Sequence, residues 1–125
     1  MTRLYGTIID VVEHVRVFMN MGDKVLLKIF TDGKDNMSVA MQGMCAELLG
    51  AIQQEGMTVT FVGTKTDVAH VQAHLNIHAS NTLVHDNTSE GVAKAYAKTI
   101  DASTMFRSAV TLGEDVSTNF YSKSL

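Results

Sequence analysis

Proline is absent from this sequence and cysteine occurs once. Without proline, no periodic segment carries a built-in helix breaker. With a single cysteine no internal disulfide exists, so a reducing compartment is the expectation. The neighbours in Gln42-Gly43-Met44-Cys45-Ala46-Glu47-Leu48 include no cation and match no nucleophile signature, so Cys45 reads as a small core residue. No apolar run reaches the length that spans a bilayer, and the N-terminus lacks the charged-then-apolar pattern of a signal peptide. A soluble, cytoplasmic chain is therefore expected, with no membrane partner. The ten Lys and Arg are scattered, without a basic stripe or interleaved aromatics, and the net charge is −3. A surface that tracks nucleic-acid phosphates is unsupported. Gly-x-Gly phosphate loops are missing as well, which leaves a nucleotide site unsupported, and no Ser-His-Asp or Cys-His arrangement can be composed.

What is present is one domain's worth of chain, 125 residues of which 46% are apolar, enough for a packed core. Leu4, Ile8, Val11, Val12, Val15, Phe18 and Met19 recur at helical spacing and predict an amphipathic helix over 4–21, closed by Gly22. Val25 to Phe30 is a short, nearly unbroken apolar run, the pattern of a strand buried on both faces of a parallel sheet. A second helix is expected over 38–55, ended by Gly56, then a strand over 57–62 with an exit loop at 63–65. A third helix follows to about Leu75, capped by Thr66, then a weak strand over 81–85. Asn87-Thr88-Ser89-Glu90 fits an N-cap with Glu three residues on, opening a last helix through Val92, Ala93, Tyr96 and Ile100. Residues 113–125 read as a polar tail after a domain over 1–112.

This alternation of helices and strands implies α/β architecture: about three parallel strands with helices on both faces. His70, His74 and His78 repeat every four residues, a spacing that can hold zinc. Val68, Val71 and Leu75 define the apolar face of that helix, so the histidines are expected on the solvated side rather than in a metal site. In open α/β sheets, ligands sit beyond the carboxyl ends of the strands. The stretch KVLLKIFTDGKDN places Asp32 there. A carboxylate before a Gly-containing loop suits Mg²⁺, although spacing alone favours an Asx-type turn.

Several segments together resemble the later half of a von Willebrand factor A-type (vWA) domain, in particular the stand-alone intracellular kind of bacteria and their phages. They are Thr2-Arg3-Leu4-Tyr5-Gly6-Thr7-Ile8-Ile9, then Val25 to Asn36 with its Thr31-Asp32-Gly33, then Met57 to Gly63, then Asn87-Thr88-Ser89-Glu90-Gly91-Val92. The likeness covers roughly 2–110, with the elements in the family's order. It implies half of a Rossmann-like vWA sheet. Family members bind a divalent ion at a metal-ion-dependent adhesion site made of an Asp-x-Ser-x-Ser loop, a threonine and a later aspartate. By resemblance, Thr2 matches the threonine and Asp32 the aspartate. The Asp-x-Ser-x-Ser loop belongs before Thr2 and is not in this sequence. Asp115-Val116-Ser117-Thr118-Asn119 approximates it, but only a circular permutation with a buried strand before Asp115 would bring it into use.

The resemblance thus implies a non-enzymatic protein-binding module with an incomplete site. Mg²⁺ or Mn²⁺ would bind weakly, or only when a partner completes the coordination. The expected partner is a protein: a second copy of the chain, or a longer vWA-containing chain that carries the missing strands. The other reading is a structural or assembly subunit, for example phage-encoded, that uses an exposed sheet edge without metal. A hydrolase built on Asp32 and Mg²⁺ would need further carboxylates that no strand tip supplies.

Overall fold

A computed structural model describes residues 4–22, 24–31, 41–114 and 119–121. Its elements run α1 (Leu4–Asn20), β1 (Leu26–Phe30), α2 (Gln42–Gln54), β2 (Thr58–Gly63), α3 (Lys65–His74), a 3₁₀ turn (Ala79–Asn81), β3 (Thr82–Val84) and α4 (Ser89–Thr111). The three strands form one parallel sheet in the order β1-β2-β3. The register sets Leu26 beside Thr58 and Phe30 beside Val62, and Phe61 beside Thr82. The α/β class and parallel pairing are those expected from the alternation of apolar runs and amphipathic helices.

Side chains alternate across a strand, so each strand serves two faces. Ile29, Val59 and Phe61 point to a large core shared with α1, α2 and α3. Val62, with half-buried Leu26, Phe30 and Leu83, meets α4 on the opposite face. The two interfaces differ in chemistry. On the three-helix side Leu49, Ile52, Phe61 and Leu75 are fully buried. On the α4 side the buried groups include Thr58, Thr60, Thr99 and Ser103. There Thr60 Oγ1 donates to the Leu27 carbonyl at 3.3 Å, and Thr99 Oγ1 donates to the Ala95 carbonyl at 2.8 Å. Thr99 also meets the Tyr121 hydroxyl at 3.0 Å. Burial raises the Tyr121 phenol, against the lowering effect of its hydrogen bonds to Thr99 and Thr60.

Residues 119–121, part of the segment read as a polar tail, return to this interface. The 3₁₀ turn holds them: Asn119 N–H donates to Ser80 Oγ at 2.7 Å and Phe120 N–H to Asn81 Oδ1 at 2.9 Å. Phe120 and Tyr121 are both buried.

Helix ends explain where the elements stop. Gly56 closes α2 at φ +112°, a conformation that costs glycine little. Asn76 does the same for α3 at φ +60°. Its amide donates to the Ala46 carbonyl at 3.0 Å while Gln53 Nε2 donates to the Asn76 carbonyl at 2.9 Å, pinning the end of α3 to α2. Two caps fall elsewhere than expected. Thr64, not Thr66, caps α3 by accepting from Asp67 N–H at 3.4 Å. Thr88 caps α4 by accepting from Gly91 N–H at 3.0 Å. Because α4 continues unbroken to Thr111, no strand precedes Asp115, and the permuted loop loses its structural premise.

Candidate functional site

The carboxyl ends of the three strands converge on His85. Its backbone N–H donates to the Gly63 carbonyl at 2.9 Å. The ring lies 7% exposed, with Nε2 3.1 Å from the Thr31 carbonyl and Nδ1 2.9 Å from the Asp86 carbonyl. A neutral imidazole carries one N–H, so each tautomer serves one of these two carbonyls and a protonated ring serves both. Thr31 follows β1 and His85 follows β3, so the ring braces the two outer strands across the end of β2. That reach covers about two strand spacings, roughly 9–10 Å.

Gly63 makes the brace possible. A Cβ there would stand 2.8 Å from Thr31 Cγ2 and 2.9 Å from Phe61 Cε1. The same position lies 3.3 Å from Asp67 Cβ, so Thr31 and Asp67 flank one notch at the tips of β1 and β2. Asp67 Oδ2 is buried and has no hydrogen-bond partner among the described residues. This carboxylate beside the strand tips was not singled out from the sequence. A cap at Thr66 would put Asp67 at the first position of α3. With Thr64 as cap it falls three residues in, facing the notch.

The metal ligands implied by the family likeness, Thr2 and Asp32, lie outside the described residues. Among those described, no three His, Cys, Asp or Glu side chains are grouped to hold a metal ion. The three histidines of the four-residue repeat do not share a solvated face. His70 is half-buried, its Nε2 2.6 Å from the Tyr5 hydroxyl and its ring stacked on that of Tyr5. The Tyr5 phenol is raised chiefly by burial, then by Cys45 and Asp67 nearby. His74 remains exposed, its ring centroid 4.7 Å from that of His70. His78 is beyond the end of α3 and caps the 3₁₀ turn, accepting from Ser80 N–H at 3.1 Å. Cys45 is fully buried, and burial pushes its thiol up to about 11, which leaves little thiolate for nucleophilic chemistry.

A second feature lies along β1. Thr58 N–H donates to the Val25 carbonyl and Thr31 N–H to the Val62 carbonyl, so the odd residues of this strand bond to β2. The alternation of a ladder then turns the N–H and C=O groups of Leu26, Lys28 and Phe30 outward, where no described strand meets them. Burial follows the same asymmetry. All six residues of β2 are buried, whereas one of the five in β1, Ile29, is. The expectation that Val25 to Phe30 is covered on both faces is corrected, because β1 stands at the edge of the described sheet.

The flanks of this edge are apolar. Tyr96 of α4 stacks on Phe30 with centroids 4.5 Å apart and planes 8° from parallel, yet it stays 51% exposed. Ile100, one turn on, is 65% exposed. Lys28 Nζ reaches Ser103 Oγ at 3.3 Å, which confirms that this stripe of α4 runs above β1. An open cleft of about 560 Å³ lies at the start of α4 between Asn87, Thr88, Ser89, Val92, Ala93 and Tyr96. Helix α1 exposes Val11, Val17 and Phe18, and Met21 just beyond it is exposed too. Comparison of the chain with protein-family models, curated proteins and solved structures finds no match.

Proposed function

We propose that the chain is a non-enzymatic protein-binding module, a truncated vWA-like domain whose working surface is the open edge of β1. The observation that carries this reading is the lopsided burial of the two neighbouring strands, β1 largely uncovered and β2 wholly buried. Natural edges are blunted by charge, proline or bulges, and Lys28 is the one such device inside Leu26–Phe30. An extended segment laid along β1 would satisfy the outward groups of Leu26, Lys28 and Phe30, and its side chains would cover Tyr96 and Ile100. Covering apolar surface contributes roughly 25 cal/mol per Å², so a few hundred Å² supplies several kcal/mol.

The metal site has a secondary role in this reading. Asp32 and Thr2 would offer Mg²⁺ or Mn²⁺ one carboxylate and one hydroxyl, and Asp67 is a further carboxylate beside the tips of β1 and β2. Binding would be weak until a partner completes the shell. Amide exchange in dilute solution tests the edge. Leu26, Lys28 and Phe30 are expected to exchange quickly while Leu27, Ile29 and Thr31 stay protected. Slow exchange at all six would mean that the chain covers its own edge, and the reading falls. Equilibrium dialysis with Mn²⁺ tests the metal: tight stoichiometric binding by the isolated chain, lost in Asp32→Ala, would contradict an incomplete site.

A further inference from the structure

We infer that the segment closing β1 is β1 of a second copy, paired antiparallel about a two-fold axis, so that two three-stranded sheets become one of six strands. The inference rests on the edge reading above and adds the occupant and its geometry.

A two-fold axis perpendicular to the sheet preserves its faces. Residues opposite one another then share parity, so the outward groups of Leu26, Lys28 and Phe30 meet outward groups of even-numbered residues along the same edge of the copy. Donors and acceptors match without any other sequence. The same operation brings α4 next to α4 of the copy, so Tyr96 and Ile100, exposed above β1, each face apolar side chains of the other helix. An isologous contact of this kind places every bare apolar group of the edge against another.

Area also favours the copy over a short peptide. A stable interface takes roughly 800 Å² from each partner, about a ninth of the 7200 Å² surface of this chain. A five-residue strand edge is too short to supply that alone, and the α4 flank must contribute. Register is constrained by charge, since centring the axis on Lys28 would set the two ammonium groups directly opposite. Moving the axis to Leu27 places Lys28 opposite Leu26 and Phe30 opposite Lys24, which removes the clash.

Sedimentation of the full chain, combined with concentration-dependent amide exchange, tests this. A dimer at micromolar concentration is expected, with Leu26, Lys28 and Phe30 becoming protected as it forms. Ile100→Glu alters a side chain that is 65% exposed, so it should fold normally while weakening dimerisation by about tenfold or more through opposed carboxylates. A chain that stays monomeric with these three amides fast overturns the dimer but leaves the edge reading intact. A dimer in which the three amides remain fast places the interface elsewhere and overturns the strand pairing, whereas a monomer in which they are slow overturns the edge reading itself. An unchanged dissociation constant for Ile100→Glu removes α4 from the interface and overturns the proposed geometry.

Discussion

Gly63 and His85 show how much of this molecule depends on single side chains. With 2.8 Å and 2.9 Å between a prospective Cβ and its neighbours, Gly63→Ala must displace Thr31 or Phe61. A loss of about 1–3 kcal/mol is expected, the usual cost of overpacking, measurable as a lower denaturant midpoint at unchanged slope. Cys45 gives a pH dependence with a definite sign. Its thiol ionises near 9 when unfolded and near 11 when folded. The unfolded chain therefore loses this proton first, so stability is fully present below about 9 and declines as pH rises toward about 11. Tyr5 and Tyr121, both raised above the usual 10, extend the decline further into base. Chemical denaturation between pH 8 and 11 should show a shallower loss in Cys45→Ala than in the parent chain, each compared with its own stability at pH 8.

Helices and strands were the most legible level of this fold. The runs at 25–30 and 57–62 fall within a residue of β1 and β2, because both are short, rich in β-branched and aromatic residues and set between glycines. Even the three-residue β3 lies inside the weak 81–85 signal. Caps were less legible, since Thr64 and Thr66 have the same chemistry and local sequence does not decide between them. The two can be told apart: Thr64→Ala should cost about 0.5–2 kcal/mol, the ordinary loss of an N-cap, and Thr66→Ala far less. The histidine repeat misled for a tertiary reason. Asn76 ends α3 before His78, and α1 brings Tyr5 over His70 from 65 positions away. The strand-tip brace was invisible for the same reason, as His85 and Thr31 are 54 residues apart and no local pattern links them.

At the scale of the whole molecule, the two faces of the sheet are unequal partners. One is sealed by three helices with large aliphatic and aromatic groups, and Phe61→Ala in that core should cost about 3–5 kcal/mol. The other is closed by α4 over Val62, Phe120, Tyr121 and half-buried Leu26, Phe30, Leu83 and Phe106, interrupted by hydrogen-bonded threonine, serine and a tyrosine hydroxyl. Such contacts contribute little net free energy per hydrogen bond, about 0.5–1.5 kcal/mol. On this difference the molecule is expected to open as two cooperative units, with residues 89–111 and 119–121 as the weaker one, opening while β1, β2 and the other helices hold. Native-state hydrogen exchange under mild denaturant should resolve the two. Amides of α4 are expected to open at lower free energy than those of β2, and one common opening energy would show a single unit instead.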